Sequence, residues 1–326
     1  MQTDKAQLKQ IFTSYWHFLA LFQACKLNLF EFIKDNTVSL QDISVQLSIK
    51  NQPLFHLIEF LIEEGYLVKC NQKHFLTSKG ELLTENHPES LKNACLLWGQ
   101  EHLNAWQHLD FTLKTGKPSF EKLYEKPFFK YLQKNPKKLR NYHLAMRDYA
   151  KDDYAEICSV IDFSNHRNLA DVGGGVGTVT SLIKESNPNI DCILFDLPEV
   201  VELIDRASIS KFTVFSGSFF EPLPFTTNAI LLSRVLHDWN DNDAKAILKN
   251  CCQALSKEGT IYIIEILQNE TTAHLLSLNM LAMCESYERT LDEYQGLLQA
   301  INFEIIETKL LNSLQKIMIC QSRIQK

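Results

Sequence analysis

Three short stretches of the chain hold residue types that could carry chemistry. The first is Asp171-Val172-Gly173-Gly174-Gly175-Val176-Gly177, which closes an apolar run and opens a helical pattern. Glycines there let the backbone approach a ligand and make a sharp strand-to-helix turn. A dinucleotide fingerprint is spaced G-x-G-x-x-G; counting from Gly173 gives G-x-G-x-G, with Thr178 where the third glycine belongs. The second is Asp196, which ends the next apolar run, where a carboxylate can accept both hydroxyls of a ribose. A glycine loop followed by a ribose acid suits NAD or S-adenosylmethionine (SAM). The spacing favours SAM, which brings no pyrophosphate to the helix N-terminus. The third is Ser233-Arg234-Val235-Leu236-His237-Asp238-Trp239, in and after the run 229–236. Ligands of open α/β sheets bind outside the carboxyl ends of the strands. A histidine there, with an ordinary pKa of about 6.5, can take a proton from a hydroxyl near neutral pH.

The elements that position these residues are read from periodicity. From about residue 156, apolar runs alternate with helical stretches: 168–174, 192–197, 212–217, 229–236 and 260–267 as strands, with 176–185, 199–207 and 241–255 as helices. Buried strands with helical crossovers imply a mostly parallel α/β sheet. The runs 303–311 and 316–323, joined by a short polar turn, add a hairpin and one antiparallel strand at or near the sheet's end.

Residues 1–155 read as helical. The segment 11–33 is apolar on more than one face, so a single helix there needs a partner or a second subunit. Ser39 with Asp42 resembles a capping box, and a second helix has Pro53 in its first turn and Gly65 at its stop. Short strands at 66–68 and 74–76 flank a polar turn at Asn71, completing a winged-helix pattern. Residues 1–100 carry nine Lys/Arg against ten Asp/Glu, and the would-be recognition helix has Glu59, Glu63 and Glu64 and no basic residue. Phosphate neutralisation supplies most DNA affinity, so a structural or dimerising role is expected instead. The basic stretch 134–141 reads as a solvated turn and helix start, and the aromatics of 91–155 as core or as a pocket for a flat substrate.

Of 326 residues, 45% are apolar and the net charge is −6, which excludes wholesale disorder and gives no general attraction to nucleic acid or anionic lipid. The uncharged run 11–25 is shorter than the ~20 residues a bilayer needs. The polar start MQTDKAQLKQ has no apolar signal core, so a cytoplasmic location is expected. Nine cysteines with no CxxC read as reduced core residues, not a disulfide framework or a zinc site.

Taken together, FFKYL (128–132), Met146, DVGGGVG, FDLP (195–198), LSRVLHDWND, LKNCCQAL, LNMLAM and ERT (288–290) resemble the SAM-dependent O-methyltransferases of the caffeate/hydroxyindole type, including bacterial members acting on polyketide phenols. The resemblance spans nearly the whole chain. It implies a Rossmann-like SAM methyltransferase sheet at 156–326, a winged-helix dimerisation domain at 1–95 that helps wall the partner's pocket, and a helical linker with pocket residues at 96–155. It implies His237 as base with Glu265 and Glu288 flanking it. It implies Gly173, Gly175, Asp196, Leu197, Ser218, Phe219, Ser233 and Trp239 at the cofactor, and Met146, Asn279, Met280 and Met283 around an aromatic acceptor. A methionine cluster also suits adaptable core packing.

The chain departs from the family where Ser218 replaces an aspartate near the adenine edge, where Ser233 replaces a basic residue of plant members, and where Glu285-Ser286-Tyr287 replaces a Gly-Gly-Arg/Lys loop before ERT. The expected function is methyl transfer from SAM to a hydroxyl of a small aromatic or polyketide-like metabolite. The expected state is a homodimer without metal, nucleic acid or membrane. Two rivals are the same fold used for N-methylation or non-methylating SAM chemistry, and a winged-helix regulator with a SAM-sensing domain.

Overall fold

The structure, a computed structural model, describes residues 4–205, 209–270 and 272–323. It divides into two compact units between Leu103 and Asn104. The stretch 96–155, expected as one linker, is therefore shared between them.

In the first unit, α1 (Asp4–Lys26) is followed by α2 (Leu29–Asp35), α3 (Leu40–Leu47) and α4 (Asn51–Glu63). The single helix expected over 11–33 is two helices. Asn28 sits between them at φ 55°, a left-handed conformation that asparagine tolerates, and the turn delivers Leu29 and Phe30 into the core. Ser39 and Asp42 form the expected reciprocal capping box on α3. Strands β1 (Leu67–Cys70) and β2 (Lys73–Leu76) pair antiparallel through Asn71 and Gln72, both at positive φ, the geometry of a tight two-residue hairpin. Leu54, Ile58 and Leu61 of α4 pack with Phe30, Ile43 and Leu67. On α1, Leu8, Ile11, Phe12, Tyr15 and Trp16 share one helical face and are each more than half exposed.

The second unit holds α5 (Pro136–Asp153), which opens with a proline at its first position as the basic stretch suggested. Its sheet contains β3 (Asn168–Val172), β4 (Asp191–Asp196), β5 (Thr213–Ser216), β6 (Thr227–Ser233), β7 (Leu255–Ile266), β8 (Phe303–Leu310) and β9 (Gln315–Ser322). The spatial order is β5-β4-β3-β6-β7-β9-β8. All neighbours are parallel except β9, which runs antiparallel to both β7 and β8. This is the single antiparallel strand expected near the sheet's end. Alternate residues divide between the two faces: Ala170, Val172, Ile230 and Leu232 on one, Leu169, Ala229 and Leu231 on the other. Both faces are buried, which is why these strands read as unbroken apolar runs.

Helices α6 (Thr178–Ser186), α7 (Asp241–Ala254), α8 (Ala273–Met283) and α9 (Leu291–Gln299) also belong to this unit. Strand β6 stops at Ser233, short of the run 229–236, because Arg234 turns to φ 53°. Of the helix expected over 199–207, the described residues form a turn of helix at Pro198–Val201, and Arg206, Ala207 and Ser208 lie outside the described residues.

Candidate active site

The glycine loop leaves the end of β3 with Gly173, Gly175 and Gly177 all at positive φ. A Cβ on Gly174 would collide with Leu194 and the Asp171 carboxyl, so close packing of loop on sheet requires glycine there. At Gly175 the added carbon would meet only Nδ1 of His143 at 3.6 Å, so the backbone is open on that side. Thr180 Oγ1 donates to Oδ2 of buried Asp171 at 2.7 Å, fastening the first turn of α6 to β3. The loop's counterpart is Asp196. The amide of Gly175 donates to its Oδ2 at 2.8 Å, and the amide of Leu197 to its Oδ1 at 2.7 Å. Burial lifts the Asp196 carboxyl to about 6, against the pull of these two bonds.

Around this cradle, Phe219 lies against Gly173 and edge-on to Trp239. Ser218 uses its hydroxyl to accept the Phe220 amide at 3.2 Å, so in place of a charge it supplies a turn cap. The Ser233 hydroxyl is buried beside the Tyr154 hydroxyl. Trp239 stacks on Phe129, with centroids 5.5 Å apart and planes at 23°.

His237 sits in a single helical turn, Leu236–Asp238, just beyond β6. Its Nδ1 is 3.2 Å from Oε1 of Glu288, and its backbone amide donates to Oε1 of Glu265 at 3.3 Å. Glu265 comes from the end of β7 and Glu288 from the loop after α8, and both are fully buried. The structure thus brings together the three residues that the family resemblance named. Between the two acids lies Arg234. Its Nη1 donates to Glu265 at 3.1 Å and to Glu288 at 2.9 Å, and its Nη2 donates to Glu288 at 2.7 Å. Ligand-type atoms of His237, Glu265 and Glu288 all fall within 4.8 Å of one another, and the Arg234 guanidinium is the cation that bridges the two carboxylates.

The charges act against each other. Burial and Arg234 pull the imidazole pKa down; Asp238, Glu288 and Glu265 outweigh them and raise it above the usual histidine value. Burial opposes ionisation of Glu288 too, yet His237 and Arg234 hold its carboxyl well below the ordinary range. Glu265 is raised, its burial winning over the same two cations.

Two basic residues here escaped the sequence reading as site residues. Arg234 stood inside a quoted motif. Arg289, the middle residue of ERT, is almost fully buried and donates to the carbonyls of Leu236 and Trp239 at 2.8 and 2.6 Å and to Asp241 at 3.0 Å. It brackets the His237 turn from both sides. Ser286 Oγ also donates to the Trp239 carbonyl, at 2.9 Å. The signal was an arginine flanked by apolar strands and pocket helices, where charge is costly unless paired.

The four expected pocket residues come from two helices, α5 and α8. Met146 is half-buried on α5, and on α8 the Asn279 carbonyl accepts from Trp106 Nε1 at 2.9 Å. Met280 is buried, and Met283 packs with Ala105, Phe120 and Phe128.

The cradle has the chemistry an adenosyl sulfonium cofactor requires. Its loop is glycine-lined, and each oxygen of Asp196 takes only one backbone amide, leaving a lone pair on each for a ribose hydroxyl. Comparison with known proteins agrees. Residues 106–304 match the family of O-methyltransferase domains. The chain is 28% identical to the phenazine O-methyltransferase PhzM of Lysobacter antibioticus, over 91% of this chain and 90% of that protein. It is 32% identical to the 3-amino-4-hydroxybenzoate 4-O-methyltransferase of Streptomyces cremeus, over 71% of this chain and 66% of that one. The crystal structure of LaPhzM superposes with a TM-score of 0.92 at 26% identity, covering 98% of this chain and 99% of the other. From the glycine cradle, the matched domain and these relatives together, the chain belongs to the SAM-dependent O-methyltransferase family.

Proposed function

We propose that the protein methylates a hydroxyl of a small aromatic metabolite, with His237 as the general base. The observation that carries this is the bond between His237 Nδ1 and Glu288. A carboxylate on Nδ1 fixes the tautomer with its proton there and leaves the lone pair on Nε2. Nε2 takes the acceptor's hydroxyl proton, and the resulting imidazolium is stabilised by Glu288 and Asp238. SAM, when bound, supplies a methyl on a cationic sulfur that departs as the neutral thioether of S-adenosylhomocysteine. Gly173, Gly175, Asp196 and Leu197 would hold its ribose side, with Ser218, Phe219, Ser233 and Trp239 around it. Met146, Asn279, Met280 and Met283 would shape the acceptor side.

An aromatic acceptor accords with the Phe129–Trp239 stack and with the phenazine and hydroxybenzoate named for the relatives above. The reaction as proposed uses no metal, since the Arg234 guanidinium already serves as the cation between the two acids. The apolar face of α1 supports a homodimer through the first unit, and the absence of Lys or Arg on α4 argues against DNA. No helix among the described residues is long and apolar enough to cross a membrane. The test is incubation with SAM and a panel of phenols and aromatic amines, read by mass spectrometry. Gain of one methylene unit on phenols alone supports the proposal. Transfer to amines alone overturns it in favour of N-methylation. No transfer, together with a low-salt gel shift on DNA, would make the protein a SAM-sensing regulator.

A further inference from the structure

Within the proposed base chemistry, and resting on that reading, Arg234 is a group the sequence did not assign. We propose that Arg234 is a positioning residue whose guanidinium locks Glu265 and Glu288 in the arrangement that orients His237 and cancels part of their charge, so that the imidazole gives up its proton at a lower pH than the acids alone would allow. Three observations carry this. The guanidinium spans both acids with three hydrogen bonds of 2.7 to 3.1 Å. Each acid then reaches a different part of the histidine: Glu288 the ring Nδ1, Glu265 the backbone amide. And Arg234 holds a left-handed backbone at φ 53°, a conformation a non-glycine residue keeps only where its surroundings determine it. Its own amide donates to Ile264 at 2.9 Å, so the side chain is anchored at both ends next to β7.

The charge count explains the need. Arg234 with two ionised acids sums to −1 when His237 is neutral and to zero when His237 has accepted a proton. Without Arg234 the same states carry −2 and −1, and the imidazole holds its proton more tightly. Asp238, 3.6 Å from Nε2 on the histidine's own turn, adds to this pull. Among the described residues, the other titratable or charged groups around the cluster include Tyr142, Asp153 and Tyr154 of α5 and its C-terminal end, Cys284 after α8, Tyr294 of α9, and Arg289, whose guanidinium is taken up by the Leu236 and Trp239 carbonyls and Asp241. Burial pushes the four phenol and thiol groups up, so they stay neutral and leave Arg234 as the cation that faces His237 in this cluster.

The experiment compares Arg234→Gln, Arg234→Lys, Glu265→Gln and His237→Ala in the full-length protein. Each variant is measured for S-adenosylhomocysteine affinity, for the pH–rate profile with a weakly acidic phenol, and for turnover of a phenol already ionised at neutral pH. Arg234→Gln is expected to move the limb governed by the base upward by at least about one pH unit, a loss of about tenfold at pH 7 that alkaline buffer restores. The ionised phenol should be spared, and cofactor affinity should be unchanged. Arg234→Lys should keep the native position of the limb with a lower kcat, and Glu265→Gln should move the limb the other way. An unmoved limb in Arg234→Gln overturns the inference. If that variant does not fold, an unmoved limb in Glu265→Gln overturns it instead. Failure of the base reading itself is separate: it shows as near-native turnover of the weakly acidic phenol by His237→Ala.

Discussion

Gly175 and Asp196 are bonded to each other: the loop amide donates to the carboxylate at 2.8 Å, so the glycine turn after β3 and the acid that ends β4 form one rigid cradle. A change at either residue therefore disturbs both the glycine turn and the end of β4.

Asp196→Ala should weaken SAM by roughly ten- to a hundredfold, the equivalent of losing charge-assisted hydrogen bonds worth ~1.5–3 kcal/mol. Calorimetry reads this directly, and unchanged affinity would remove Asp196 from the site. Because the carboxyl is lifted to about 6, affinity should also fall as pH drops through that value. For the ligand-free protein the linkage has the opposite sense. A carboxyl raised on folding contributes stability that is complete below its unfolded value of about 3.9 and is lost as pH rises through about 6. Thermal melts of Asp196→Asn should lack that part of the decline.

His237→Ala or His237→Gln should cut turnover by ~10²–10⁴ while sparing SAM affinity. The loss should shrink for acceptors that are already ionised. Since the acids raise His237, the native rate should climb with pH through a value above the ordinary ~6.5, whereas the variant should track the acceptor's own ionisation. A histidine with only a packing role would lower melting temperature and cofactor affinity together.

Glu288 gives the acid side of the stability profile. Its carboxyl is held below the ordinary range by His237 and Arg234 despite burial, so the stability it adds is present above the unfolded value of about 4.3 and fades as pH falls below it. Glu288→Gln should flatten the acid limb of a pH–stability curve; an unchanged limb would show that other groups govern acid unfolding.

Phe12→Glu combined with Trp16→Glu should convert a dimer to a monomer in light scattering. These side chains share the exposed apolar face of α1, and obligate interfaces bury more than ~2,000 Å² of such surface. A native protein that is monomeric at micromolar concentration would refute the dimer.

Arg289→Met should cost about 1–3 kcal/mol, because it leaves the Leu236 carbonyl without this donor and the Trp239 carbonyl with Ser286 in place of two. Loosening of the His237 turn should then lower kcat more than cofactor affinity, measured after confirming the fold by circular dichroism.

Much of the fold was legible because buried strands and amphipathic helices write their periods into sequence. The β3–Gly173 junction, the capping box at Ser39 and the reversed β9 were all visible in that way. The interior charges were not. Arg234 and Arg289 acquire their partners from elements far along the chain, and the left-handed turns at Asn28 and Arg234 break runs that apolar content alone would continue. A helix expected from 11 to 33 and a strand expected to 236 both failed at such a residue, where one backbone angle outweighs hydrophobic pattern.

The position of β9 has a consequence for how the molecule is made. Residues 315–320 pair with Ile261–Ile266 and so flank Glu265 on one side, while β6 flanks it on the other. A chain emerging from the ribosome can assemble β3 to β7 in order, but the second neighbour of β7 arrives only with the closing hairpin. Until then Glu265 ends a strand with an open edge, beside a buried charge lacking its full wall. The strand that carries Glu265 therefore gains its second neighbour only from the last residues of the sheet, and a truncation before residue 315 would leave β7 an edge strand with its backbone groups on that side unpaired.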